Sequence, residues 1–297
     1  MKLETKHGMI YAVFAFVMWG LAPLFFKQLQ FMPSLEILAH RVIWSALLLV
    51  VIIGLRKNLH KVKAILTDPK TLLVLVISAT LLGFNWWLFI WSINNDHILD
   101  ASLGYYINPL LNIALGTLFL KERLSKLQYA AVALAVVGVM IQVVTFGSFP
   151  IIAFSLAISF AIYGLIRKLA AVDAMPGLLI ESLVLILPAI VYWYGFADSP
   201  AANLLENSWY LNALIIGAGL VTTAPLLCFV EAARRLEYST LGFFQYIGPS
   251  IMFMFAVFYY HEQFDQERWV TFGFIWAALV VYSYSSYRNM KKLKVTL

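Results

Sequence analysis

The chain has 297 residues, of which 62% are hydrophobic and only 12% charged, and its formal net charge is +6. Soluble globular proteins have roughly twice that share of charged residues, so a soluble surface of this size would lack polar cover. The composition excludes a disordered chain and a nucleic-acid-binding domain, and the single cysteine, Cys228, excludes a disulfide-stabilised secreted domain. We therefore expect most of the outer surface to face the hydrocarbon of a lipid bilayer.

Apolar segments of bilayer-spanning length follow one another along the chain. A helix needs about 20 largely apolar residues to cross the hydrocarbon, and ten such segments are present. Their length, without the alternation of barrel strands, predicts an all-α polytopic membrane protein with ten transmembrane helices. In chain order these cover residues 8–26, 35–55, 71–92, 99–119, 126–145, 149–168, 176–196, 210–231, 239–260 and 269–288.

The basic residues indicate how these helices are oriented. With the N-terminus in the cytoplasm, 18 of the 21 Lys and Arg residues, Arg167 among them, fall in cytoplasmic segments. Lys27 and Arg268 fall outside, and Arg41 remains within a span. An excess of cytoplasmic Lys and Arg is the rule for such proteins. We therefore expect a multi-pass protein of the bacterial inner membrane with both termini in the cytoplasm, whose basic loops orient the chain and bind no nucleic acid.

The two halves of the chain are similar at an offset of about 140 residues. Residues 119–124 align with 259–264, 103–106 with 241–244, Trp19-Gly20 with Tyr163-Gly164, Met32-Pro33 with Met175-Pro176, and Pro109 with Pro249, with two extra residues between Gly242 and Pro249. Five spans in each half, an odd number, would invert the second half in the membrane. We expect a 5+5 inverted repeat of residues 1–146 and 147–297, with a substrate site between the halves near the midplane.

Four stretches resemble a known family: residues 36–45 (EILAHRVIWS), 83–87 (GFNWW), 103–110 (LGYYINPL) and 160–168 (FAIYGLIRK). Together with the spans and the repeat, they resemble the EamA family of drug/metabolite transporters, and more closely its RarD-type branch, over essentially the whole chain. The resemblance implies an inner-membrane carrier whose central cavity opens alternately to each side. It implies no particular substrate, because the family's cargoes range over amino acids, metabolites and drugs.

Arg41, His40 and Glu181 lie within predicted spans, where an ionisable residue costs at least about 2.5–3.5 kcal/mol on insertion scales. Arg41 either attracts an anionic substrate group such as a carboxylate, or makes a structural ion pair or bonds to carbonyl groups. His40 either couples transport to protons or packs as a hydrogen-bonded residue. Glu181, the counterpart in the second half, either carries a proton or partners a basic residue near the cytoplasmic surface.

Other carboxylates have structural explanations. Glu231 is four residues before Arg235, the spacing of a helical ion pair. Glu122 and Glu262 lie at span ends within the repeat signature, and we interpret both as turn residues.

Uncharged polar and aromatic residues complete the predicted site. Amides are expected to face the interior, bonding neighbouring helices or substrate. Paired prolines in both halves free a backbone carbonyl and point to a binding site. Aromatic residues that the repeat matches are better candidates than Trp87 and Trp91, which share one helix face. The predicted substrate cavity comprises Trp19, His40, Arg41, Asn85, Tyr105, Tyr106, Asn108, Tyr163 and Gln245, with His40 and Glu181 as candidates for proton coupling.

No motif for an enzyme, a cofactor or a metal was found, including HExxH, GxSxG, a P-loop or CxxC. We expect a secondary transporter that moves a small metabolite or drug-like solute by alternating access between the two repeats. The alternative is a membrane-embedded enzyme or scaffold that moves no solute; a lipid-acting enzyme generally needs paired carboxylates with a metal, and only isolated carboxylates are present. The expected partners are a small-molecule substrate and the bilayer, and a homodimer stays open beside a monomer.

Overall fold

The computed structural model describes residues 3–95, 97–145, 147, 149–199, 201, 203–259 and 266–295. This part of the chain contains helices and turns but no strand, which confirms the all-α prediction for it. Its α-helices are α1 (Leu3–Phe26), α2 (Ser34–Leu55), α3 (Leu59–Thr67), α4 (Pro69–Asn94), α5 (Ile98–Leu118), α6 (Lys126–Thr145), α7 (Ile151–Leu169), α8 (Ala174–Phe196), α9 (Trp209–Arg235), α10 (Tyr238–Gln245), α11 (Ile247–Met254) and α12 (Gln266–Val295).

Nine helical segments of the described chain are long and apolar enough to cross a bilayer. One of them runs through α10, α11 and a turn of π-helix over Phe255–Tyr259. The predicted fourth span corresponds to α5, which has 21 residues and is not among these nine segments. It carries Asn108, Pro109 and Asn112, and all three are buried. The polar groups of α5 therefore face the interior of the helix bundle.

The loop predicted at residues 56–70 contains a short amphipathic helix, α3. It buries Val62 and Ile65 and packs against α4 and α8. Asp68 then starts the next helix, because its side chain accepts a 3.2 Å hydrogen bond from the Lys70 amide and Pro69 is the first residue of α4. The segment thus lies across the ends of the long helices as an ordered element.

The ninth predicted span is not one continuous α-helix. α10 ends at Gln245, and α11 begins at Ile247. This break falls where the second half has two residues more than the first, between Gly242 and Pro249. The insertion is therefore absorbed as a change of helix, whereas α5 continues through Pro109.

The long helices pack in pairs that correspond between the two halves. α1 packs on α9 as α7 packs on α4, and α5 packs on α7 as α11 packs on α1. Likewise α2 packs on α9 as α8 packs on α4. Three further pairs join helices at corresponding places of the predicted halves, namely α2 with α8, α5 with α10, and α6 with α12.

Two of the closest helix crossings are made at glycines. A Cβ placed on Gly219 of α9 would lie 2.6 Å from the Cβ of Trp44 in α2. A Cβ on Gly242 of α10 would lie 2.6 Å from the carbonyl oxygen of Pro109 in α5. Small residues matter here because lipid is as apolar as a leucine side chain, so helices associate through close packing. The two glycines thus let helices of opposite halves approach closely.

Candidate functional site

A narrow cavity lies between α2 and α4 of the first half and α8 and α9 of the second. Its walls combine apolar side chains with several hydroxyl groups and one carboxylate, and in this closed conformation it has room for about one water molecule. The lining residues are Val42, Ser45, Leu82, Trp86, Leu178, Glu181, Ser182, Leu185, Thr222, Thr223 and Leu226. Glu181 is the predicted site residue that belongs to this lining, and Arg41 contacts two of its members.

Arg41 lies beside the cavity and contacts three other helices. Its Nε donates a 2.8 Å hydrogen bond to Oγ1 of Thr222 on α9. Its guanidinium carbon is 4.9 Å from the ring centre of Phe26 and 5.3 Å from that of Trp86, within the range of cation–π interactions. Its two terminal nitrogens bond to no group in the described part of the chain, and neither is sealed from solvent. The guanidinium is therefore held in place while its outer edge stays free.

Glu181 is fully buried and lies next to a cation. Its Oε1 is 3.5 Å from Nε of Arg167, whose side chain is also fully buried. The same oxygen accepts a 2.5 Å hydrogen bond from Ser78, and Tyr163 donates to Oε2 at 3.5 Å. A buried charge needs partners of this kind, because desolvation is costly. The contacts join α8 to α4 and α7 and agree with the interpretation of Glu181 as the partner of a basic residue.

Arg167, which the charge pattern assigns to a cytoplasmic segment, lies in the last turn of α7 and not in a loop. The side chain lies inside the protein, with none of its surface exposed. Gly177 provides the space, because a Cβ there would lie 2.3 Å from Nη1 of Arg167. Nη2 donates a 3.4 Å hydrogen bond to the carbonyl of Ala174. The basic residue thus serves a buried contact between α7 and α8.

His40 and Glu36 form a second polar position on α2, one helical turn apart. His40 is 1% exposed, and neither ring nitrogen has a hydrogen-bond partner among the described residues. Its ring packs against that of Trp193 at 5.0 Å. The buried Glu36 carboxylate accepts a 2.7 Å bond from Ser199 through Oε1, while Oε2 has no described partner. Buried polar atoms without partners are rare, so this position has free capacity for a water or a proton.

Trp19 and Tyr163, which the repeat matches, lie in one aromatic cluster. The Phe229 ring is 5.7 Å from Trp19 and 6.3 Å from Tyr163. The Phe160 ring is 5.8 Å from Trp19 and 5.7 Å from Tyr163. The cluster packs α1, α7 and α9 together. Its hydroxyl group on Tyr163 donates to Glu181, which lines the cavity.

The amides predicted for the site bond neighbouring helices. Asn85 connects α4 to α7, Asn108 connects α5 to α7, and Gln245 connects α10 to α5. The bonds run from Asn85 to the Leu156 carbonyl (2.8 Å) and Ser159 Oγ (2.9 Å), from Asn108 to the Ala157 carbonyl (2.7 Å), from Asn112 to Gln245 (2.6 Å), and from Gln245 to Asn108. Of the two alternatives for these residues, the geometry shows the interhelical bonds.

Tyr105 and Tyr106 have different surroundings. The ring of Tyr106 is 5.5 Å from that of Phe272 on α12. Tyr105 packs against Phe89 at 6.0 Å and keeps 41% of its surface accessible. Tyr106 therefore packs α5 against α12, whereas Tyr105 keeps an accessible ring.

The structural roles predicted for two carboxylates are confirmed. The Glu122 oxygens accept hydrogen bonds of 2.6 and 2.8 Å from the amides of Tyr238 and Ser239, at the start of α10. Glu231 forms an ion pair with Arg235 on the same helix. Glu262, which the repeat matches to Glu122, lies outside the described residues.

An exposed ion-pair cluster, which we call the Asp173 cluster, joins α3 to the ends of α8 and α9. Asp173 lies 2.7 Å from Lys61 and 3.2 Å from Arg234. The hydrogen bond from Lys61 lowers the pKa of the Asp173 carboxyl, with Arg234 contributing and partial desolvation opposing. Near the start of α10, partial burial and the Glu122 carboxylate raise the pKa of Glu237.

Residues that the sequence reasoning did not single out supply several contacts at the site. Thr222 positions Arg41, and Ser78 and Arg167 bind Glu181. Single serines and threonines in apolar spans carry no local signal of this role. Among the described residues, no group of three His, Cys, Asp or Glu side chains is arranged to hold a metal ion.

The chain is similar to known proteins in sequence and in fold. The sequence model of the EamA-like transporter family matches residues 6–144. The chain is 54% identical to an uncharacterised transporter of Vibrio cholerae over 94% of this chain and 93% of that protein. It is 50% identical to protein RarD of Salmonella typhimurium over 97% of this chain and 98% of that protein. A solved crystal structure with 16% identity shares the fold, with a TM-score of 0.73 over 92% of this chain and 96% of its own.

Proposed function

The chain belongs to the EamA family of transporters, in its RarD-type branch, and from this membership we propose that it is a secondary transporter for a small metabolite or drug-like solute. It is a multi-pass protein of the bacterial inner membrane, as its apolar helices and its relatives indicate. The observation that carries the proposal is the cavity to which α2 and α4 of one half and α8 and α9 of the other contribute. Alternating access would open this cavity to each side of the membrane in turn.

We further propose ten spans in two inverted halves, residues 1–146 and 147–297. The family match ends at residue 144, close to the boundary between them. The reciprocal packing, in which α1 on α9 corresponds to α7 on α4, also supports two related halves. Transporters with inverted halves expose the site by moving one half against the other.

In the proposed orientation, Arg41 is on the outer side of the cavity and Glu181 on the cytoplasmic side. The contacts of Glu181 with Ser78, Tyr163 and Arg167 then close the cytoplasmic side, because they join α8 to α4 and α7. Breaking these contacts is the step that we propose for opening the cavity to the cytoplasm.

His40 and Glu181 are the proposed proton carriers. Glu181 already has Arg167 beside it, so a proton that arrives there disrupts an ion pair. His40 has two unpartnered nitrogens and can bind a proton without breaking any contact of the described residues. Both side chains are buried, and burial opposes a charge on either of them, so both residues stay candidates for this role.

The test is counterflow of a broad panel of labelled solutes in proteoliposomes that contain the purified protein. We expect saturable uptake of at least one solute that requires the protein. Ser182→Phe should block this uptake, because the small side chain lines the cavity. Leu183→Phe is the matched control, because the neighbouring side chain is 40% exposed. Well-folded protein that moves no member of the panel, or equal flux by both variants, would contradict the proposal.

A further inference from the structure

We infer that the cavity accepts a solute with one negative charge, carried by a carboxylate group on an apolar body. The inference rests on the proposed transport function and names the chemical class of solute for the same site. It follows from the free edge of Arg41, from the balance of charges around the cavity, and from the cavity lining.

Arg41 has the geometry of an anion-binding group. Its Nε is used by Thr222, and its plane is held by the rings of Phe26 and Trp86. Each terminal nitrogen still has its two N–H donors without a partner among the described residues. The remaining edge of a guanidinium forms two parallel hydrogen bonds with a planar carboxylate. A side chain whose orientation is fixed in advance loses little entropy when it binds such a group.

The balance of charges predicts a monoanion. Glu181 is compensated by Arg167, whereas no described carboxylate forms an ion pair with Arg41. The buried Glu36, on the same helix as Arg41, is bonded to Ser199 and does not line the cavity, so it is not counted in this balance. A solute with one negative charge would neutralise Arg41. A dianion would leave one negative charge in the membrane interior, where an uncompensated charge is costly. Arg41 would repel a cation. The ammonium group of a zwitterion would have no free carboxylate in the lining, because Glu181 is paired with Arg167.

The rest of the lining favours an apolar body. Most of the other walls are formed by aliphatic side chains and the indole ring of Trp86. Thr223 lines the cavity, and its buried hydroxyl group has no described partner, so it offers one additional hydrogen bond to a solute that reaches it.

Binding to the purified full-length protein tests the inference without measuring transport. Four probes that share a phenyl ring are compared by thermal unfolding and by quenching of tryptophan fluorescence: phenylacetate, phenylacetamide, phenethylamine and phenylsuccinate. We expect phenylacetate to bind more tightly than the neutral amide, the amine and the dianion. Arg41→Gln should weaken phenylacetate binding roughly tenfold or more, because it removes hydrogen bonds to a charged group. Arg56→Gln, at the exposed end of the same helix, should leave binding unchanged.

Equal binding of phenylacetate and phenylacetamide by the wild type would overturn the inference, even if Arg41→Gln did not fold. Undiminished phenylacetate binding by a folded Arg41→Gln protein would also overturn it. Phosphatidylglycerol is included because its phosphate is an anion too, and binding of this lipid without binding of phenylacetate would assign the site to lipid. If phenylacetate binds through Arg41 but shows no counterflow, the inference stands and the transport proposal does not. If another solute is transported equally well by Arg41→Gln, the transport proposal stands and the inference does not.

Discussion

Arg41 and Glu181 are each the eighth residue of their helix, counted from Ser34 in α2 and Ala174 in α8. The two helices pack against each other, yet the two charges have different partners. Glu181 is compensated by Arg167, whereas Arg41 donates to a neutral hydroxyl. The charge of Arg41 is therefore the one that remains available to a solute.

The first prediction concerns the buried pair of Glu181 and Arg167. Glu181→Gln leaves the Arg167 charge buried without a counterion, which we expect to reduce the free energy of unfolding by about 3–5 kcal/mol. The double variant Glu181→Leu/Arg167→Leu should recover much of this loss, because apolar residues often replace a buried ion pair at little cost. Denaturant unfolding in detergent micelles measures both variants.

The matched control for this pair is Glu231→Gln, which removes the ion pair with Arg235. Both side chains are partly exposed, so we expect a loss below about 1 kcal/mol. Wild-type stability of Glu181→Gln would show that Arg167 does not depend on the carboxylate. Glu181 would then be free to carry a proton, as the alternative interpretation holds.

The second prediction concerns Thr222, which positions Arg41 without carrying charge. Thr222→Val keeps the shape of the side chain but removes the acceptor of the Arg41 Nε hydrogen bond. We expect weaker phenylacetate binding, by a smaller factor than for Arg41→Gln, because the charge remains. Thr117→Val is the control, since Thr117 bonds within α5 alone. A Thr222→Val protein with unchanged phenylacetate affinity would show that the aromatic rings alone orient the guanidinium.

The features that could be predicted from the sequence are those that depend on local patterns. Apolar length predicted the long helices, and four-residue spacing predicted the contact of Glu231 with Arg235. The offset between the halves located the break before Pro249, although it did not predict that the helix would change there.

The contacts that shape the site join distant parts of the chain. Arg41 and Thr222 are 181 positions apart, and Ser78 and Glu181 are 103 apart. No local pattern distinguishes the threonine or the serine from others in apolar helices. The burial of Arg167 could not be predicted for a related reason, because a basic residue at a helix end matches the positive-inside rule whether its side chain is buried or exposed.

The third prediction is a pH dependence at the Asp173 cluster. The pKa of Asp173 is lowered in the folded protein, so its ionised form stabilises the fold. This stabilisation is complete at pH values above the ordinary carboxyl pKa of about 4. This contribution should fall as pH decreases through the lowered folded-state pKa. At neutral pH, Asp173→Asn should therefore be less stable than the wild type by under about 1 kcal/mol, since the pairs are exposed. The difference should disappear in strong acid, and a constant difference at every pH would contradict the assignment.

The fourth prediction concerns topology. Reporter fusions after residues 62, 124, 170 and 236 should report the cytoplasm, and fusions after residues 97 and 203 should report the outside. A cytoplasmic signal after residue 203 would contradict the inverted halves. It would mean that the number of spans in each half is not odd, so the second half would not be inverted relative to the first.

The fifth prediction concerns energy coupling at His40. A proton-coupled cycle needs a group that binds a proton from one side of the membrane and releases it to the other. The ring nitrogens of His40 are unpartnered among the described residues, and Glu36 has a free carboxylate oxygen one turn away on α2. Tyr192 and Trp193 of α8 complete the surroundings, the first within electrostatic range of Glu36 and the second against the His40 ring.

No described residue forms a hydrogen bond with the His40 ring. His40→Gln should therefore leave the fold and the exchange of solute across the membrane intact. It should abolish the accumulation of solute that a pH gradient drives, since glutamine does not bind a proton in the physiological range. Gradient-driven uptake and equilibrium exchange are measured in the same proteoliposomes, with Glu181→Gln tested in parallel. Full gradient-driven uptake by His40→Gln, together with its loss in a folded Glu181→Gln protein, would assign the proton to Glu181. If both variants retain gradient-driven uptake, neither residue carries the proton, and the two unpartnered nitrogens of His40 then require a structural explanation, such as bound water.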